Sequence, residues 1–362
     1  MTSIAGSRPL KDRGHSFGAA RFQHGQRIGR PILLVEIGRQ EPAGFIRQQR
    51  IDTGDEVVVM TPGYRAFHES AAWLDLSRRG KILARGQDRA RLLHAMTTNH
   101  VEQLAPGSGC YAFFLDAHGH ILGDVNLFAL PDHHLLDTEP ETVRRLHEHL
   151  DRHIIADDVT LEDVTGATAT LALEGPKAAD MLASLGAPAP EAAYSHAPWG
   201  SMTVARVSST GAPGFFVLAP VAERDEIPRQ FESAGAVAAT AEDALIVRLE
   251  NGKPRYGEDI TADHLPQETQ LLHAVHFNKG CYIGQEIVER IRSRGHVNRL
   301  LVRLAIEGTQ IPAGEVTSAA YSPALGKVIA FAYLRAEHAR AGTKLLVEGR
   351  QAEVLASLPP AG

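Results

Sequence analysis

Apolar and polar positions change period along this chain, and the changes mark out its elements. In "GCYAFFLDAHGHILGDVNLFAL" two apolar runs flank the polar Ala117-His118-Gly119, which predicts two strands joined by a turn. "GQDRARLLHAMTTN" sets Leu92, Leu93 and Met96 at helical spacing, and "PETVRRLHEHLDRHI" does the same with Val143, Leu146 and Leu150, so each predicts a helix. "MTPGYRAFHESAAWLDLSRRGKILARG" predicts a helix, a polar turn and a strand. "ATATLALEG" predicts a strand, and "GPKAADMLASLG" a helix that Pro176 opens and Gly186 closes. Residues 183 to 198, rich in Ala and Pro, predict a surface connection. From about Val297 onward, "LLVRLAI", "GKVIAFAYL" and "TKLLVEG" predict short strands broken by Gly and Pro turns, a small all-β unit. Strands and helices interleave without the alternation of a doubly wound sheet, so the fold class is α+β.

Length changes this picture by requiring more than one core: 362 residues predict two or three domains. Residues 1–59 carry scattered Arg, Gln and Gly with one apolar run, "PILLVEIG", and regular patterning begins at Met60. They read as a poorly ordered extension or as sequence ahead of a natural start at Met60. The remaining chain divides into 60–296, two intertwined α+β domains, and 297–362, the all-β unit.

Charge and composition exclude some classes. A formal net charge of -6 and the lack of a long Lys or Arg run argue against direct nucleic-acid binding. No stretch approaches the roughly 20 apolar residues that cross a bilayer, and the basic N-terminal segment has no apolar secretory core. The two cysteines, Cys110 and Cys281, form neither a metal pair nor a disulfide framework, which makes a reducing cytoplasm the expected compartment. Walker A, G-x-G-x-x-G, H-E-x-x-H and G-x-S-x-G patterns are all missing.

Three constellations remain. In "KGCYIGQE" Cys281 lies between Gly280 and Gly284, with Lys279 placed to lower a thiol pKa and Gln285 and Glu286 close by. The same pattern also fits a small buried cysteine in a Gly-rich turn, and Cys110 reads as a packing residue. In "RLENGKPRYGEDI" Arg248, Glu250, Tyr256 and Asp259 surround a Gly-Lys-Pro turn; a solvated loop with an Arg-Glu pair is the plainer reading. Asp124 is a carboxylate among apolar strand residues, either orienting a ligand amine or facing solvent at a sheet edge. His118, His120, His133 and His134 read as loop histidines, and no metal is expected.

"KGCYIGQE", the following "RIRSRGHVNRLL" and the upstream "RLENGKPRYGEDI" closely resemble the YgfZ branch of the folate-binding aminomethyltransferase superfamily, relatives of the glycine-cleavage T-protein. The resemblance runs from "YRAFHESAAWLDLSRRGKI" through "TTNHVEQLAPGSGCYAFFLDAHGHILGD" to the final β unit, about residues 63 to 360. It implies a three-domain ring with a central channel for tetrahydrofolate, closed by a small C-terminal β-barrel. It also implies that Tyr111 and Asp124 contact the folate, Asp124 close to the nitrogen that accepts the one-carbon unit. Arg248 and Tyr256 match the family's Arg-x-Glu segment and the tyrosine after it, and Leu135 and Asp137 of "LLDT" match the strand lining the pterin pocket.

One departure stands out. Where the T-protein carries a glutamate that bonds the pterin ring, "STGAPGFFV" has Phe216, and losing such a buried contact costs about 1 to 3 kcal/mol. The T-protein lacks the cysteine box, whereas the YgfZ branch is linked to assembly or repair of iron-sulfur clusters. The resemblance therefore implies a tetrahydrofolate-binding accessory protein with a functional thiol at Cys281, displayed at the mouth of the channel. Iron-sulfur proteins or their assembly factors are its expected partners. Because clusters take four cysteine ligands, contact with one would be shared with a partner or with glutathione. The alternatives are one-carbon transfer to tetrahydrofolate and a scaffold that binds no folate.

Overall fold

The computed structural model describes residues 50–52, 57–314 and 316–356. "PILLVEIG" and most of the expected extension lie outside them; the described part of that extension pairs Arg50–Asp52 antiparallel with Val57–Val59. The helix Pro62–Glu69 follows, its first turn capped by the Thr61 hydroxyl, which accepts from the Tyr64 N–H at 3.0 Å.

Two sheets interlock in sequence. The first orders His196–Trp199, Met202–Ala205, Gly214–Pro220, Thr168–Glu174, Ala72–Asp75 and Val237–Ala238, antiparallel except for its last pair. The second is antiparallel and orders Gly109–Leu115, Ile121–Ala129, His133–Thr138, Gly80–Arg85 and Thr160–Asp163. All five of its strands lie in the chain between Ala72–Asp75 and Thr168–Glu174, neighbours in the first sheet. Ala72–Asp75 is a strand that the pattern of apolar residues did not announce. At four residues it is too short to show a period.

Strand alternation decides what each face holds. Along Gly109–Leu115, Cys110, Ala112 and Phe114 point into a core shared with Leu92, Leu93, Met96, Leu146 and Leu150 of the helices Arg89–Met96 and Val143–Asp151. Tyr111, Phe113 and Leu115 point the other way and pack with Tyr256, Ile260, Leu271 and Tyr282. The same alternation along Ile121–Ala129 sends Val125 and Leu127 into the first core and leaves Asp124 and Asn126 on the opposite face. In Gly214–Pro220, Phe215 and Val217 enter one core while Phe216 and Leu218 enter another with Tyr64, Phe128 and Leu135.

The C-terminal unit is a five-stranded antiparallel sheet ordered Ser318–Ser322, Lys327–Arg335, Arg299–Ile306, Arg350–Val354 and Lys344–Val347. It joins the rest through the helix Ala241–Glu250, whose Leu249 packs with Leu301, Ile329 and Phe331. Among the described residues no helix is long and apolar enough to cross a membrane.

Candidate functional site

A cavity of about 960 Å³ is walled by both α+β sheets and the helix Ala241–Glu250. Three of the site residues expected from sequence line it: Tyr111, Asp124 and Arg248. The hairpin pairs Tyr111 with Asn126 and Phe113 with Asp124, so the thirteen-residue spacing becomes a diagonal contact on one face. The Tyr111 hydroxyl donates to Asp124 Oδ2 at 2.7 Å. Asp124 Oδ1 is buried and accepts no hydrogen bond. A buried acceptor without a donor is costly, and a ligand N–H would satisfy it. Burial, followed by the nearby charge of Glu139, pushes the Asp124 carboxyl up to about 6.

Beside it stands an ion network that sequence reading did not identify. The Arg79 Nε donates to both Asp137 oxygens at 2.9 and 3.0 Å, and a second Arg79 nitrogen pairs with Glu139. Asn126 Nδ2 donates to Asp137 Oδ2 at 2.8 Å. Arg79, Asn126 and Glu139 line the cavity, whereas Asp137 is fully buried and acts through Arg79. Phe216 also lines the wall, its ring 5.7 Å from the Arg79 guanidinium carbon. No spacing rule could have brought Arg79 of a polar turn to Asp137 of a distant strand; the pairing comes from the sheet order.

Arg248 is buried and held by Glu258 at 2.7 Å and by Asp259, while also donating to the Lys253 carbonyl at 3.2 Å. The Arg-Glu pair read within "RLEN" is not formed. Glu250 instead accepts from the hydroxyls of Tyr64 at 2.7 Å and Ser322 at 2.6 Å, because the helix turns Arg248 and Glu250 to different neighbours. Tyr256 and Leu135 are core residues outside the cavity wall. The Tyr256 hydroxyl donates to the Ile121 carbonyl at 3.1 Å and accepts from Arg145 at 3.0 Å. Lys253, in the turn of the same segment, lines the cavity with its ammonium 5.4 Å from the Tyr111 ring.

The cysteine box is a separate construction. Lys279 is buried, and its ammonium donates to the carbonyls of His94, Thr97 and Asn99 at 2.5, 2.6 and 2.7 Å. Its three donors are thus engaged in tying the box to the end of the helix Arg89–Met96 and the segment after it, which corrects its expected service to the thiol. Burial pushes this amine down to about 8. Tyr282 is buried beside it, the ammonium 5.0 Å from the ring. Gly284 has φ +82°, and a Cβ there would stand 2.7 Å from the Asp116 carbonyl oxygen, so glycine is required. Gly280 meets no such demand; a Cβ there has 3.9 Å to the nearest atom, His94 Nε2.

The box also opens a helix, Gln285–Arg294, where Glu286 pairs with Arg290 at 2.6 Å on the exposed face. Cys281 is exposed and does not belong to the wall of the large cavity, so the thiol stands apart from the channel lining. Cys110 is buried, and burial pushes its thiol up to about 12. Among the described residues no cluster of His, Cys, Asp and Glu is arranged to hold a metal.

The GCVT N-terminal domain family matches residues 42–279, and the glycine cleavage T-protein C-terminal barrel domain family matches residues 296–360. An aminomethyltransferase of Rubrobacter xylanophilus is 31% identical over 320 residues, covering 82% of this chain and 86% of that one. Another, from Chloroherpeton thalassium, is 27% identical over 313 residues, 79% of this chain and 85% of its own. The crystal structure of the glycine cleavage system aminomethyltransferase T from Bartonella henselae superposes with a TM-score of 0.74 at 21% identity, covering 85% of this chain and 93% of that one. Shared fold, both matched domains and the barrel-like C-terminal unit agree: this chain belongs to the glycine-cleavage T-protein family.

Proposed function

We propose that this protein binds tetrahydrofolate in the large cavity and serves as an accessory factor for iron-sulfur proteins, as a member of the YgfZ branch. The observation that carries the folate reading is Asp124, whose buried Oδ1 has no donor while Tyr111 fixes the other oxygen. A cavity of about 960 Å³ accommodates a ligand of folate size. Asp124 would accept from a ligand N–H, Tyr111 would hold that carboxylate in place, and Arg79, Asn126 and Glu139 offer polar groups to the pterin. Phe216 gives the ring an apolar face where the T-protein has a carboxylate. Bound tetrahydrofolate supplies a one-carbon acceptor nitrogen.

The accessory role rests on the cysteine box. Lys279 and Gly284 fix a loop that exposes Cys281, accessible to a protein partner. In a deletion strain under oxidative stress, [4Fe-4S] enzyme activity is expected to fall and to be restored by the wild-type gene but not by Cys281→Ser. Unchanged enzyme activity in the deletion strain would remove the accessory role. Aminomethyl transfer is the second reading, supported by the names of the relatives. It predicts methylenetetrahydrofolate from an aminomethyl-loaded lipoyl carrier protein, and no turnover in that assay would retire it.

A further inference from the structure

A second cavity, of about 260 Å³, adjoins the large one and shares Ser208 and Lys253 with it. Its wall includes Tyr194, Arg206, Asn251, Lys253 and His273, and no carboxylate. The larger cavity is lined by cations and by Asp and Glu side chains in mixture, whereas this one holds cations alone.

Neither cation has an acceptor among the described residues. The Arg206 guanidinium lies 4.8 Å above the Phe215 ring, and the Lys253 ammonium lies 5.4 Å from the Tyr111 ring. Aromatic faces attract a cation but leave its N–H donors unused. Arg206 is half-buried, and two cations on one cavity wall repel until an anion joins them. Burial lowers the Lys253 pKa although the charges of Asp124 and Glu174 pull it up; no carboxylate among the described residues hydrogen-bonds the ammonium, but these two act on it from a distance.

A third donor faces the same space. His273 Nε2 is buried without a partner, and burial with the Lys253 charge brings its pKa down to about 4, so the ring is neutral. Tyr194 reaches the cavity from a residue with φ +62°, held there by its N–H bond to the Arg206 carbonyl at 3.0 Å. The connection between residues 183 and 198 thereby delivers an aromatic wall as well as joining two elements.

We propose that this cavity is an oxyanion site that takes a carboxylate, with Arg206 and Lys253 as its charged donors and His273 Nε2 as a neutral one. The guanidinium fork suits a carboxylate bidentately. The carboxylate comes from one of two sources. It is the glutamate tail of a folate held in the adjoining cavity, which rests on the function proposed above, or it belongs to a separate small dicarboxylate, which does not.

Calorimetric titrations of the full chain with glutarate, tetrahydrofolate and tetrahydropteroate, which lacks the glutamate, separate the sources. Arg206→Gln and Lys253→Met are titrated in parallel, with thermal unfolding confirming that each folds. If the tail is the source, tetrahydrofolate binds at least about tenfold more tightly than tetrahydropteroate, and Arg206→Gln erases the difference. If the anion is separate, glutarate binds the wild type and each variant weakens it about tenfold or more. Should neither pterin bind, the folate reading fails while the glutarate arm still decides this site. Should a variant not fold, the imidazole nitrogen signals of His273 in labelled wild-type protein provide the same test, shifting as glutarate or tetrahydrofolate is added. Equal affinity for the two pterins together with no glutarate binding and no His273 shift overturns the proposal.

Discussion

The Asp124 cavity and the Cys281 box both bury ionisable groups, yet they bury them in opposite states. At the box, the Lys279 ammonium meets three carbonyls, and the thiol two residues on is left outside in solvent. In the cavity, Asp124 keeps one oxygen without a donor and Lys253 lacks an acceptor. Satisfied buried groups stabilise a particular conformation, whereas unsatisfied ones cost stability until a ligand supplies the missing partner. The box is therefore a structural clasp that presents a side chain, and the cavity is a receptor that lacks its complement.

The largest effect that would break this contrast belongs to the clasp. Lys279→Met leaves three buried carbonyls without a donor and is expected to destabilise the fold by about 3 kcal/mol or more, measured by urea unfolding. A loss below about 1 kcal/mol would mean that water replaces the ammonium there. Gly284→Ala comes next, at about 1 to 3 kcal/mol, from positive φ and the close Asp116 carbonyl. Its unfolding midpoint should fall while the folded protein's ligand affinity stays unchanged.

Asp124→Asn sharpens the other side. Its folded-state pKa lies above the ordinary carboxylate value, so its contribution to stability is present at low pH and is lost as pH rises through about 6. Asp124→Asn should remove that pH dependence without lowering stability at pH 7.5, as pH-resolved thermal unfolding would show. Cys281→Ser is the smallest change, within about 0.5 kcal/mol, because the side chain is exposed. A larger loss would assign the cysteine a packing role.

Much of this arrangement was legible where the chemistry is local. The turn at Ala117-His118-Gly119 fixed which residues of the hairpin meet, so the spacing of Tyr111 and Asp124 already implied their contact. Phe216 was singled out through the family resemblance alone, and the strand Gly214–Pro220 that carries it was not anticipated. Lys279 was misread because its partners are carbonyls near residues 94 to 99, and a carbonyl has no residue type to recognise. Arg79, Glu139 and Arg206 were overlooked for a related reason. They sit in turns and strands that read as ordinary surface, and only the sheet order brings them to the cavities. Lys253 lay within the "RLENGKPRYGEDI" segment, and its signal was a lysine beside a proline turn with no carboxylate within three or four residues before it except Glu250, which is engaged elsewhere.

The most direct test of the receptor reading is calorimetric titration of tetrahydrofolate into wild-type and Asp124→Asn protein, at pH 7.5 and at pH 5.5. Asp124 is ionised at the higher pH and mostly protonated at the lower. The wild type should bind at pH 7.5 and weaken about fourfold at pH 5.5, as the ionised fraction of Asp124 falls, while Asp124→Asn should bind about tenfold or more weakly than the wild type at pH 7.5, with its pH dependence lost. Wild-type binding that ignores both the pH change and the substitution would contradict the account, since it would place the ligand away from Asp124.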